Sequence, residues 1–86
     1  MKLQFIINPG SGAGQKDWES VISDFFADRP ETPQFFRLEQ DADNKQLLAA
    51  AIEAYQPDRV IAAGGDGTVK MAAEVLMGKN IPLAII

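Results

Sequence analysis

Short apolar runs that end at glycine or proline alternate along this chain with longer stretches whose apolar residues recur at helical spacing, and that alternation constrains the fold more than any other feature. Leu3 to Ile7 is an apolar run cut off by Asn8-Pro9-Gly10, and it reads as a buried strand. Between Lys16 and Ala27, Trp18, Val21, Ile22, Phe25 and Phe26 fall at i, i+3, i+4, i+7 and i+8, the spacing of one helix face, and are expected in the core. Arg29 to Pro33 is a turn by its prolines, and Gln34 to Leu38 reads as an outer strand because its flanks are polar. Asn44 is the expected cap of a second helix with the stripe Leu47, Leu48, Ala51, Ile52 and Tyr55, ended by Gln56-Pro57-Asp58. Arg59 to Ala63 is a third strand, Gly64-Gly65-Asp66-Gly67 a turn, and Val69, Ala72, Ala73 and Leu76 a third helical stripe that stops by Gly78. Ile81 to Ile86 is a fourth strand.

Strands separated by helices are βαβ units, which give a parallel sheet with right-handed crossovers and helices on both faces. The expected fold is therefore α/β, a three-layer α/β/α arrangement around a doubly wound parallel sheet of about four strands in the order 2-1-3-4. Residues 1–86 form one unit without internal repeat. The run Pro82 to Ile86 is apolar without a polar tail, as in a strand awaiting a neighbour. It marks the chain as a truncated piece whose open edge is expected to pair with a second copy or to exchange elements with it, a homo-oligomer or strand-swapped dimer.

Composition narrows the function. The eight Lys and Arg residues are scattered in a chain of net charge −4, which argues against tracking a nucleic-acid backbone. Without Cys or His there is no disulfide, no thiol nucleophile, no Cys/His zinc site and no His-based triad within these residues. The apolar start, Met1 to Ile7, is too short for a signal-peptide core or a membrane span, and a cytoplasmic location is expected.

The remaining signals are two glycine loops, each after a strand and before a helix: Asn8-Pro9-Gly10-Ser11-Gly12-Ala13-Gly14 and Gly64-Gly65-Asp66-Gly67-Thr68. In a 2-1-3-4 sheet both lie at the carboxyl edge, flanking the switch point where open α/β sheets bind ligands. Glycine lets the main chain approach an anion and reach positive φ, turning N–H groups toward a phosphate, while the helix N-termini add unpaired N–H groups. Ser11 and Thr68 are candidate hydroxyl donors. The first loop is not a Walker A loop, because Gln15 stands where its second glycine belongs and Asp17 follows Lys16. The dinucleotide pattern fails at the same Gln15, although Glu39 stands at the end of strand two, where a ribose-binding acid would be. Asp66, a carboxylate among three glycines, is suited to holding Mg²⁺ directly or through water, or to orienting a loop N–H; the alternative is an Asp that only caps the third helix.

NPGSG after the first strand and GGDGT after the third resemble the diacylglycerol kinase catalytic domain, which is similar in fold to NAD kinase. The resemblance implies a lipid kinase that phosphorylates a lipid hydroxyl, diacylglycerol or a sphingoid base, with ATP and Mg²⁺ as cofactors. It implies that Asn8, Pro9, Ser11, Gly12, Gly64, Gly65, Asp66, Gly67 and Thr68 bind the nucleotide, with Asp66 near the phosphates and the magnesium as the catalytic residue; direct metal ligands are not assigned. The family usually continues with a small apolar residue and Asn-Glu-Val, where this chain has Val69-Lys70-Met71-Ala72. The family's next nucleotide motif and its β-rich acceptor domain would lie beyond Ile86, so this piece alone is expected to be inactive. The longer enzyme is expected to touch a membrane surface transiently to reach its lipid. A NAD kinase-like dinucleotide enzyme and a non-catalytic nucleotide-binding regulatory module are the alternative readings.

Overall fold

The computed structural model describes residues 1–8 and 17–86. Four strands, β1 (Leu3–Ile7), β2 (Gln34–Arg37), β3 (Arg59–Ala63) and β4 (Leu83–Ile85), alternate with three helices, α1 (Trp18–Phe26), α2 (Asn44–Tyr55) and α3 (Asp66–Leu76). The strands form one parallel sheet in the order β2-β1-β3-β4. This is the doubly wound α/β arrangement expected from the alternation. The central strands β1 and β3 are almost wholly buried, while β2 and β4 at the edges are half-exposed, as a sheet covered on both faces requires.

Successive strand residues point to opposite faces, so the sheet divides its apolar residues between two cores. Ile6 and Val60 pack with Leu48 and Ile52 of α2 and Ala72, Val75 and Leu76 of α3. Leu3, Phe5 and Ile61 pack with Ile22 of α1, joined by Trp18, Phe26, Phe35 and Ala84. Helix α1 thus covers one face and α2 with α3 the other, and the reversal falls between β1 and β3.

The α1 stripe is narrower than its spacing suggests. Ile22 is buried and Trp18 and Phe26 are half-buried, but Val21 is 46% and Phe25 59% exposed, so these two are not core residues. At 3.6 residues per turn they lie about 100° and 60° round the helix from Ile22. The side that packs is the line through Trp18, Ile22 and Phe26, with the Phe26 ring set edge-on to Phe5 at 6.1 Å. Phe25 instead lies under the Arg29 guanidinium, 4.2 Å from its ring centre.

The cap of α2 is Asp43, whose Oδ1 accepts from the Gln46 N–H at 3.2 Å, and not Asn44. Asn44 is the first helical residue, and its amide closes on the main chain of Glu39: Oδ1 accepts from the Glu39 N–H at 2.9 Å and Nδ2 donates to the Glu39 carbonyl at 3.0 Å. That clamp shapes a turn in which Asp41 takes a φ of 61°. Helix α3 ends at Leu76, and Gly78 at φ +82° turns the chain toward β4. Strand β4 is shorter than the run Ile81 to Ile86, although the Ile86 N–H still donates to the Ala62 carbonyl at 3.0 Å.

Candidate functional site

Ile7, the last residue of β1, pairs in register with Ala63, the last residue of β3. Adjacent strands lie about 4.8 Å apart, so Asn8 and Gly64 leave the sheet side by side at its carboxyl edge. On the other flank of β1, Arg37 pairs with Ile7 and the Leu38 N–H donates to the Ile7 carbonyl at 3.0 Å. The structure therefore brings Asn8 and Gly64 to Thr68 to one edge. Pro9, Ser11 and Gly12 lie outside the described residues.

The segment Gly64 to Thr68 is half loop and half helix. Gly65 is the N-cap of α3, with φ −85° and ψ −172°, and Asp66, Gly67 and Thr68 form the first helical turn. The Thr68 and Val69 N–H groups both return to the Gly65 carbonyl, at 3.1 and 3.2 Å. The amides of Asp66 and Gly67 are first-turn donors, which a helix leaves without an internal partner.

None of Gly64, Gly65 and Gly67 takes a positive φ, so the reading that these glycines serve left-handed backbone is corrected. All three are matters of space instead. A Cβ on Gly64 would lie 2.8 Å from Thr68 Oγ1 and 3.1 Å from its Cβ, so Gly64 is the residue that lets Thr68 tuck beneath the loop. Thr68 is 5% exposed, and its side chain supports the turn from below. Among the described residues nothing lies within 4 Å of a Cβ added to Gly65 or Gly67, so on that side their faces are open for a ligand to approach the main chain.

Each helix begins at this edge with an aspartate, and two of the three are caps while the third is not. Asp17 accepts from Ser20 Oγ at 2.8 Å and from the Ser20 N–H at 3.3 Å, and the Ser20 hydroxyl is the main reason its carboxyl sits below the usual range. Asp43 caps α2 in the same manner. Asp66 does not cap α3, which has no side-chain cap hydrogen bond, and its carboxylate is exposed. That weakens the alternative in which Asp66 is merely a cap.

Among the described residues no three His, Cys, Asp or Glu side chains cluster as a metal cage. Asp66 fits the other way of holding Mg²⁺, in which one or two carboxylates share the ion with substrate phosphates. Lys70 is exposed on α3. The cation at the end of β2, Arg37, is held by both carboxylate oxygens of Glu19, with Nε to Oε2 at 3.1 Å, which ties the start of α1 to the edge of the sheet. The Arg37 to Glu19 pair and the Asn44 clamp on Glu39 had no counterpart in the sequence reading, because each joins groups that only the fold makes neighbours. An edge this acidic can hold phosphate through main-chain amides, helix N-termini and a divalent cation.

The sequence profile of the Diacylglycerol kinase catalytic domain matches residues 2–86. Two relatives named Diacylglycerol kinase, from two strains of Mycobacterium tuberculosis, are each 52% identical to this chain over 44 residues. That stretch is 51% of this chain and 14% of either relative, so the match spans a small part of the relatives' length.

Proposed function

The chain belongs to the diacylglycerol kinase catalytic domain family, and from that premise we propose that it supplies the ATP-holding edge of an enzyme that phosphorylates a lipid hydroxyl. The observation that carries the proposal is the pairing of Ile7 with Ala63, which delivers Asn8 and the segment Gly64 to Thr68 to one side of the switch point. The open faces of Gly65 and Gly67 and the first-turn amides of α3 form the proposed phosphate-binding surface, with Asn8 leaving β1 beside it; Pro9, Ser11 and Gly12 are assigned to the nucleotide by the family's motif alone. Thr68 acts beneath them, holding the loop in shape from its buried position.

Asp66 is the residue to hold Mg²⁺ there, directly or through water, and the ion supplies charge neutralisation of the phosphate oxygens. Phosphoryl transfer depends on positioning and on electrostatic stabilisation of both partners, and the edge described here serves the nucleotide partner. The lipid acceptor is then positioned by the remainder of the longer protein. The likeness to diacylglycerol kinases favours diacylglycerol over a sphingoid base.

The test uses the longer enzyme with diacylglycerol in mixed micelles. Asp66→Asn is expected to lower kcat/KM by a factor of 100 or more, about 2.7 kcal/mol of lost transition-state stabilisation, while the circular-dichroism melt stays unchanged. Turnover within tenfold of the parent would remove Asp66 from the site. ATP·Mg²⁺ binding without transfer to any lipid, sugar or nucleoside would favour the regulatory-module reading instead.

A further inference from the structure

Helix α1 is held to the sheet by less burial than the other two helices. Ile22 is its buried residue, against Leu48 and Ile52 in α2 and Thr68, Ala72, Val75 and Leu76 in α3. It packs along the single line of Trp18, Ile22 and Phe26, and an apolar stripe narrower than the usual ~100° restrains rolling only weakly. A polar tether adds the missing restraint. Glu19, in the first turn of α1, takes the Arg37 guanidinium in both of its carboxylate oxygens.

The other end of the tether is fixed. Arg37 closes β2, pairs in register with Ile7, and stands two positions after Phe35 on the face that α1 covers. Just beyond it, the Leu38 N–H donates to the Ile7 carbonyl at 3.0 Å, and both main-chain groups of Glu39 are taken by the Asn44 amide at 2.9 and 3.0 Å. A strand end tied on both sides does not follow its side chain, so the pair acts on α1. Arginine suits this task because its planar fork meets a carboxylate through two parallel bonds, which sets direction as well as distance. The effect reaches the nucleotide edge. Asn8 follows Ile7, the register partner of Arg37, and Asp17 caps α1 two residues before Glu19. Arg37 therefore links, through Ile7 and Glu19, the two chain positions between which Pro9, Ser11 and Gly12 fall in the sequence.

We propose that Arg37 is a positioning residue for the nucleotide: held by Glu19, it sets the start of α1 against the end of β1 at the spacing that ATP·Mg²⁺ binding requires. This role rests on the nucleotide reading of that edge and adds a residue to it. A cation at a phosphate-binding edge invites the opposite assignment, a direct phosphate contact, and the two differ in sign. If Glu19 competes with phosphate for Arg37, removing its charge tightens ATP binding. If the two residues together hold α1, the same change loosens it. Arg37 gives both Nε and a terminal nitrogen to Glu19, which favours the second. A restraint that acts alike on the ground state and the transition state changes KM and leaves kcat alone.

The test measures KM for ATP·Mg²⁺ and kcat in the longer enzyme with diacylglycerol in mixed micelles, together with amide hydrogen exchange in α1. Arg37→Gln and Glu19→Gln are each expected to raise KM about three- to fivefold, the size expected of one well-formed exposed pair, with kcat and the thermal melt unchanged. Arg37→Lys should fall between parent and Arg37→Gln, because an ammonium keeps the charge and loses the fork. Joining Arg37→Glu to Glu19→Arg should recover most of the KM that Arg37→Glu alone loses. Exchange should quicken in α1 and not in α2 of Arg37→Gln, and return to the parent rate in the double variant. A lower KM in Glu19→Gln would make Arg37 a phosphate ligand and overturn the positioning role. Unchanged KM in both single variants, or losses that simply add in the double variant, would overturn it as well. A parent enzyme that does not bind ATP·Mg²⁺ would instead fail the nucleotide reading itself, and the role of Arg37 with it.

Discussion

Glycine at three neighbouring positions answers two separate physical demands. Gly64 is required by a contact, because any Cβ there meets Thr68 Oγ1 at 2.8 Å. Gly64→Ala is therefore expected to destabilise the fold by about 1–3 kcal/mol in urea unfolding, as overpacking does, and Thr68→Ala in the same chain should recover part of that loss. Additive losses in the double variant would show that the two residues do not press on each other. A Cβ on Gly67 meets nothing among the described residues, and Gly67 sits inside the first turn of α3, where alanine is the better helix former. Gly67→Ala should raise stability by about 0.5–1 kcal/mol and still weaken ATP binding by calorimetry, since the methyl group occupies the face proposed for the phosphate. A gain in stability with unchanged ATP affinity would place the nucleotide elsewhere. The motif was legible in the sequence as a cluster of small residues around a carboxylate. What each glycine does was not, because a close contact four residues on and an open face look identical in a string of letters.

At the scale of elements, the periods of apolar residues located the strands and helices of the described residues, since a buried parallel strand and an amphipathic helix leave unlike patterns, and the strand order followed from the doubly wound arrangement that such alternation adopts. They did not settle which residues of a stripe touch the core. Leu47 and Leu48 both belong to the α2 stripe, yet Leu48 is fully buried and Leu47 is 45% exposed. Leu48→Ala should cost about 2–5 kcal/mol in the same unfolding assay. Leu47→Ala should stay within about 0.5 kcal/mol, and comparable losses at both would mean that α2 is rotated from its described position. Caps were equally ambiguous: Asp43 and Asn44 are both good capping residues, and only the turn locked on Glu39 decides that Asp43 serves α2. For α1 the cap is Asp17, whose carboxyl is lowered chiefly by the Ser20 hydroxyl and then by the Ser20 N–H. A carboxyl with a lower value folded than unfolded contributes stability above its unfolded value and loses it as pH falls through its folded one. Asp17→Asn should therefore flatten the acid limb of the stability profile below the ordinary aspartate value, and an unchanged acid limb would mean that the cap does not form in solution.

Taken whole, the molecule is a sheet with unequal edges, and the inequality sets how it meets other chains. The outer strand β2 presents Gln34 and Arg37 to solvent, and Arg37 is already engaged by Glu19. Polar and charged residues of this kind keep an edge from templating another strand. The opposite edge, β4, has no such protection: Ile85 is 60% and Ile86 48% exposed, next to the half-buried Leu83 and Ala84. Its free N–H and C=O groups run beside apolar side chains, the combination that recruits a further strand. This follows from the strand order, which leaves β4 with a neighbour on one side only among the described residues. The isolated chain is therefore expected to self-associate as its concentration rises, through β4 and not through β2. Sedimentation velocity across a hundredfold concentration range should show the shift, and Ile85→Lys should abolish it while Gln34→Lys should not. A further substitution separates edge pairing from exposure on α1, because Phe25→Ser removes the exposed aromatic of that helix and leaves the β4 edge intact. Association lost in Phe25→Ser and retained in Ile85→Lys would assign the contact to α1, and a monomer at every concentration would show that the β4 edge does not recruit a partner.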